Sequence, residues 1–217
     1  MKRILFSRTI LSLSLLAPVL LMTPGCSTEP APAKKAAAKK PAEPVSGQSA
    51  IFQIYQVART WAPDAQLLKL ENGNLAEVAP QPGKYGLWRA VFISDSKKVK
   101  RDWQYAAADG DGGIIKGVRA GAESGYIRNP QVHPFAIQEV KIDTTAALET
   151  ALAEVEKDKD MKKVLAENKN LPVQFLLEWT GTSPKPAWRV IFGASISTSK
   201  FSIIVDAATG KFVKKMH

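Results

Sequence analysis

The stretch Phe201–Lys215, FSIIVDAATGKFVKK, reads as a strand, a tight turn and a second strand. Asp206 and Thr209 can hydrogen-bond amides inside such a turn, and Gly210 tolerates the positive φ that closes it, so these three residues read as structural turn chemistry. Upstream, AWRVIFG (187–193) reads as another strand, and Val173, Phe175, Leu177 and Trp179 alternate with Gln174, Glu178 and Thr180 in a third. Before these strands Asp143 stands as a helix cap, followed by Ala147, Leu148, Ala151, Leu152 and Val155 at helical spacing. A short further helix has Met161, Val164 and Leu165 on one face. A helical segment followed by hairpin-linked strands predicts an α+β fold with an antiparallel sheet.

The same order occurs earlier in the chain. Ser49 stands where a cap is expected, Ile51, Ile54, Tyr55, Ala58 and Trp61 follow at helical spacing, and Pro63 ends the helix. Strands are predicted over 65–71, 87–93, 98–107 and 114–119. Two landmarks align the copies: Trp88-Arg89-Ala90-Val91-Phe92 with Trp188-Arg189-Val190-Ile191-Phe192, and Asp109–Gly113 with Asp206–Gly210. The intervals between landmarks are 21 and 18 residues, which predicts a short insertion in one hairpin loop. The expected organisation is two tandem units, 49–120 and 135–217, each a helix packed on an antiparallel sheet, with a linker over 121–134.

The Val-Asp-x-x-Thr-Gly pattern ending at Gly210, followed by a strand, resembles the C-terminal signature of PepSY domains. The resemblance covers about 140–217. It extends weakly to 49–120, where Asp109-Gly110-Asp111-Gly112-Gly113 lacks the Thr. It implies a small α+β unit in an exported bacterial protein, with peptidase binding or inhibition among its functions. It brings no catalytic residue, which argues against an enzyme.

The N-terminus reads as an address. Lys2, Arg3 and Arg8 precede the apolar run Ile10–Met22, and Thr23-Pro24-Gly25-Cys26 follows, with Cys26 the single cysteine of the chain. This resembles the lipobox of bacterial lipoproteins, with 1–25 as signal peptide and Cys26 as the lipidated mature N-terminus. Gly25 fits that pattern, whereas Thr23 stands where Leu is usual. The alternative is an ordinary signal peptide with an incidental cysteine. Ser27 after the cysteine implies sorting to the periplasmic face of the outer membrane. From Cys26 to Gln48 the chain is dominated by Pro, Ala and Lys without apolar periodicity, and is read as a disordered tether.

The formal charge of +10 becomes +7 without Lys2, Arg3 and Arg8, and +5 without the tether's four Lys and two Glu. The remaining bases are dispersed among acids, which argues against nucleic acid as a partner. One cysteine and two histidines do not make a metal site or a disulfide framework, and neither metal nor cofactor is expected. The Asp109 loop has Ala120 at its twelfth position and fails as a calcium loop. His133 lies in a Pro-punctuated connection without neighbouring ligands, and no Gly-x-Ser-x-Gly or phosphate loop occurs. Arg89 and Arg189 fall on the strand face opposite the neighbouring tryptophans, solvated or gripping an acidic partner. The expectation is a membrane-anchored, non-catalytic envelope lipoprotein that binds a protein or peptide, a peptidase being one candidate, with a sheet edge open to strand addition. The alternatives are a structural envelope factor whose basic surface binds anionic glycan or lipid, and a hydrolase whose carboxylates are distant in sequence.

Overall fold

A cap, an apolar stripe and a stop define each helix of the computed structural model, which describes residues 41–216 apart from position 182. After the short strand β1 (Val45–Ser46), helix α1 (Gly47–Trp61) begins at Ser46, whose Oγ accepts from the Ser49 amide. The cap therefore lies three residues before Ser49, which supplies a capped N–H. Ala50, Ile51, Ile54 and Ala58 form its buried stripe, and Pro63 follows its end. There follow β2 (Gln66–Gly73), β3 (Lys84–Tyr85), β4 (Leu87–Ser94), β5 (Val99–Ala106) and β6 (Gly117–Gly125). Helix α2 (Thr144–Lys157) is capped by Asp143, and Asp158 both closes α2 and caps α3 (Lys159–Glu167), accepting from the Asp160 and Met161 amides. Strands β7 (Val173–Glu178), β8 (Ala187–Phe192), β9 (Phe201–Asp206) and β10 (Phe212–Met216) complete the chain.

Eight strands form one antiparallel sheet in the order β10-β9-β8-β7-β2-β4-β5-β6, within the compact unit Lys40–His217. The first half is α1 with β2, β4, β5 and β6; the second is α2 with β7–β10. They meet edge to edge at β2 and β7, where Glu71 stands opposite Leu176. Beside that pair the buried Asn72 takes the place of further ladder bonds: its Oδ1 accepts from the Phe175 amide at 2.7 Å and its Nδ2 donates to Gln174 Oε1.

Strand register defines the equivalences between halves. Trp88 stands opposite Tyr105 and Leu87 opposite Ala106; Trp188 stands opposite Val205 and Ala187 opposite Asp206. Ala106, not Asp109, is thus the counterpart of Asp206, and the expected insertion before the turn does not exist. The sequence match fails because the β5–β6 connection is the longer one, and its Asp lies beyond the strand end. Asp109 accepts from the distant Lys116 amide, while Asp206 closes a tight turn.

Both tryptophans are fully buried beneath the helices, and each indole N–H is satisfied by the carbonyl just before a helix cap. Trp88 Nε1 donates to Val45 O at 3.0 Å, and Trp188 Nε1 to Ile142 O at 2.8 Å. The helix N-termini meet between them: Gly47 N donates to Thr144 Oγ1, Gln48 N to Asp143 Oδ1, and Thr144 Oγ1 to Gly83 O. A Cβ on Gly47 would lie 2.7 Å from Trp188 Cη2 and 3.2 Å from Trp88 Cη2, so only glycine fits there.

Two sequence boundaries shift. Residues 45–48, read as tether, belong to β1 and α1, because Val45 is held by Trp88 and Tyr85. Strand β6 runs from Gly117 to Gly125, past the expected strand end at 119 and the expected unit end at 120, because an exposed edge of small residues carries no apolar alternation to reveal it. Phe135, buried, pairs with Leu67 through both backbone bonds. Among the described residues no helix is long and apolar enough to cross a membrane.

Candidate functional site

The helices cover one face of the sheet. On the other, pairing aligns one row across all eight strands: Lys214, Ile204, Arg189, Leu176, Glu71, Arg89, Gln104 and Arg119. Side chains in such a row stand about 4.8 Å apart from strand to strand. The sequence-predicted Arg89 and Arg189 are therefore brought to equivalent positions on one face, either side of the β2–β7 joint.

Their surroundings differ. Arg189 is half-buried and its Nε donates to Ser202 Oγ at 3.0 Å. The 193–200 connection overhangs this half: a groove of ≈ 440 Å³ lies between Ala194–Ser197 and Gln174, Leu176 and Ile191. Arg89 is exposed and lies over Gly73, where a Cβ would come within 3.1 Å of its Nη1. It lines an open groove of ≈ 460 Å³ with Lys69, Glu71, Asp102, Gln104 and Arg119. Among the described residues neither Arg89 nor Arg119 makes a side-chain hydrogen bond or ion pair. Two guanidiniums thus flank Gln104, about 10 Å apart at their Cα atoms.

Of the acids on this face, Asp102 is exposed in the groove and makes no side-chain hydrogen bond or ion pair among the described residues, while two others are engaged or shielded. Glu71 pairs with Lys69 at 3.1 Å. Glu178, opposite Lys69, has its carboxyl pushed above the ordinary carboxylate value by burial; Arg189 and Lys69 work against that shift and Glu71 adds to it. What remains free is one carboxylate, Asp102, and the planar donors of Arg89 and Arg119 on either side of an amide; the two guanidiniums are suited to bidentate contact with carboxylate or phosphate and outnumber the acid.

The remaining sequence-selected residues lie elsewhere. Asp206 Oδ1 accepts from the Ala208 amide, the Thr209 amide and Thr209 Oγ1, while Gly210 adopts φ +73° and its carbonyl accepts from Thr150 Oγ1 of α2. His133 packs on Trp179 with ring centres 4.9 Å apart. Cys26 lies outside the described residues. Arg119, Gln104, Lys69 and Glu71 escaped the sequence reading, because their row exists only once strands β2, β4, β5 and β6 are aligned. An outward-facing Arg on each of β4 and β6 is the sequence signal for them. Among the described residues no group of three His, Cys, Asp or Glu is placed to hold a metal ion.

No protein-family model matches the chain, and no curated protein shows significant similarity to it. The PepSY resemblance thus rests on the Asp206–Gly210 turn and the order of elements before it. Among solved structures, a candidate lipoprotein from Clostridium difficile 630 aligns with a TM-score of 0.41 at 10% identity, over 77% of this chain and 91% of that one.

Proposed function

We propose that the protein is a lipid-anchored, non-catalytic envelope lipoprotein that holds an acidic protein or peptide partner on the open face of its first half. The anchor is Cys26, tethered to the periplasmic face of the outer membrane by the Pro/Ala/Lys segment. The observation that carries the binding reading is the pair of unpartnered guanidiniums, Arg89 and Arg119, flanking Gln104 on one cross-strand row. Such groups bind carboxylate and phosphate through bidentate, charge-assisted hydrogen bonds. A PepSY-like role in restraining a peptidase is one form this binding can take.

The test is co-purification from detergent-solubilised envelope with the wild-type chain and with Arg89→Ala/Arg119→Ala. The expected result is one stoichiometric protein on the wild type, lost from the double variant at unchanged melting temperature. Equal recovery on both sinks the reading. The width of the row, with cations at Arg189 and Lys214 as well, supports a second reading in which the face rests on anionic glycan or lipid. Salt-sensitive retention on anionic vesicles or glycan, with no protein captured, would favour it.

A further inference from the structure

The sheet ends in two edges built differently. At β10 the ladder is bulged between Phe212 and Lys214, and Lys215 is tied to Asp158 at the α2–α3 junction. Bulges, lysines and a covering element are the usual protections of an edge. At β6 every residue from Arg119 to Gly125 is exposed, no proline interrupts, and among the described residues no strand lies on its outer side. Gly117 and Ala120 leave the backbone open, while the Gly121 carbonyl accepts from Arg101 Nε.

A register shift divides this edge. Trp103 pairs with Ala120 but Arg101 with Glu123, so β6 carries one extra residue between them. Beyond it Glu123 is occupied by Trp61 Nε1 at 2.6 Å. Before it, Gly117–Ala120 keeps regular register with β5 and carries the row through Arg89, Gln104 and Arg119, and Gly121 opens the shift. A guanidinium stands on each side of this segment: Arg119 on the open face, and Arg101 on the helix face, its Nε donating to Gly121 O.

We infer that Gly117–Gly121 is the docking edge for an extended acidic segment of the partner, which adds to β6 as a further strand and sets a carboxylate opposite Arg119. This rests on the open-face reading and specifies its geometry. Main-chain bonds supply affinity in strand addition and alternate side chains supply choice. A second copy of this chain fits poorly: centred on Arg119, self-pairing opposes two guanidiniums. Centred on Gly121 it fails to join Arg119 to Glu123, because the extra residue puts those side chains on opposite faces.

The probe is a synthetic ten-residue peptide alternating Thr and Glu, with a Thr/Gln control, titrated into the full lipidated chain in detergent micelles. We expect the Thr/Glu peptide to bind about tenfold tighter than the control, a preference that Arg119→Glu removes. In a strand the face and the inward N–H alternate together, so N-methylating all Glu or all Thr should abolish binding in one series and spare the other. Amide shifts should centre on Gly117–Gly121. If both N-methylated series bind equally and the shifts centre on Arg89 and Gln104, strand addition is overturned while the open-face reading stands. If the peptide does not bind and anionic vesicles do, both give way to the polyanion reading.

Discussion

Arg89 and Arg189 occupy the same register position in the two halves of the sheet, one residue after equivalent tryptophans, yet they do different things. Arg189 is bonded to Ser202 beneath an overhanging connection; Arg89 stands free in an open groove. Trp88 and Trp188, one residue earlier, behave alike: both are fully buried, and each donates to a carbonyl just before a helix cap. The helix-covered side imposes one solution wherever it recurs, since a buried indole must fill its space and satisfy its N–H. The solvent side imposes none. What happens there is set by loop lengths, which shorten at β4–β5 and lengthen at β8–β9.

The comparison is tested most severely in the core. Trp88→Ala and Trp188→Ala should each cost about 3–5 kcal/mol, measured by urea unfolding. Both should give a single transition, because the halves share one sheet; a biphasic curve for either would mean that they unfold separately. Gly47→Ala, at the junction of the helices, forces a Cβ against both indoles and should cost about 1–3 kcal/mol.

The turns come next. Asp206→Ala strands two amides and a hydroxyl, a loss on the order of 1–2 kcal/mol, whereas Asp109→Ala removes the acceptor of one amide and should cost less. Equal losses would mean that the turns are interchangeable after all. Gly210→Ala should lower stability as well, by roughly 1 kcal/mol, because its φ is positive.

Glu178 makes a pH test of the half-covered face. Its folded-state carboxyl titrates above the ordinary 4.5, so the folded state favours the neutral form. The associated stability is present below pH 4.5 and is lost as pH rises through the elevated value. Glu178→Gln should therefore stabilise the fold at pH 7 and leave it unchanged at pH 4, checked by urea midpoints at the two pH values. A gain of the same size at both would sink the assignment.

The smallest expected effect separates the two arginines. Arg89→Ala should change stability by less than about 0.5 kcal/mol, as an exposed and unpartnered side chain. Arg189→Ala should cost about 1 kcal/mol through Ser202 and its packed stem. Differential scanning calorimetry of the two variants decides, and a larger loss at Arg89 would reverse the reading of the open groove.

Local pattern along the chain is enough for the α+β class, for the positions of α2, α3 and the strands from β7 to β10, and for the chemistry of the Asp206 turn. Those features are local: a cap, a period of 3.6 or 2, and a turn whose own side chains satisfy its amides. It also placed Arg89 and Arg189 opposite the buried tryptophans, since alternation along a strand needs no partner. The start of α1 at Ser46, the extension of β6 to Gly125 and the pairing of Ala106 with the place of Asp206 were decided by tertiary structure. Each depends on which strand lies alongside and in what register. The candidate site has the same origin. Arg89, Gln104 and Arg119 come from three strands, and hydrogen bonds between those strands, together with the length of the connections that cover or spare them, make a row of what the chain holds apart.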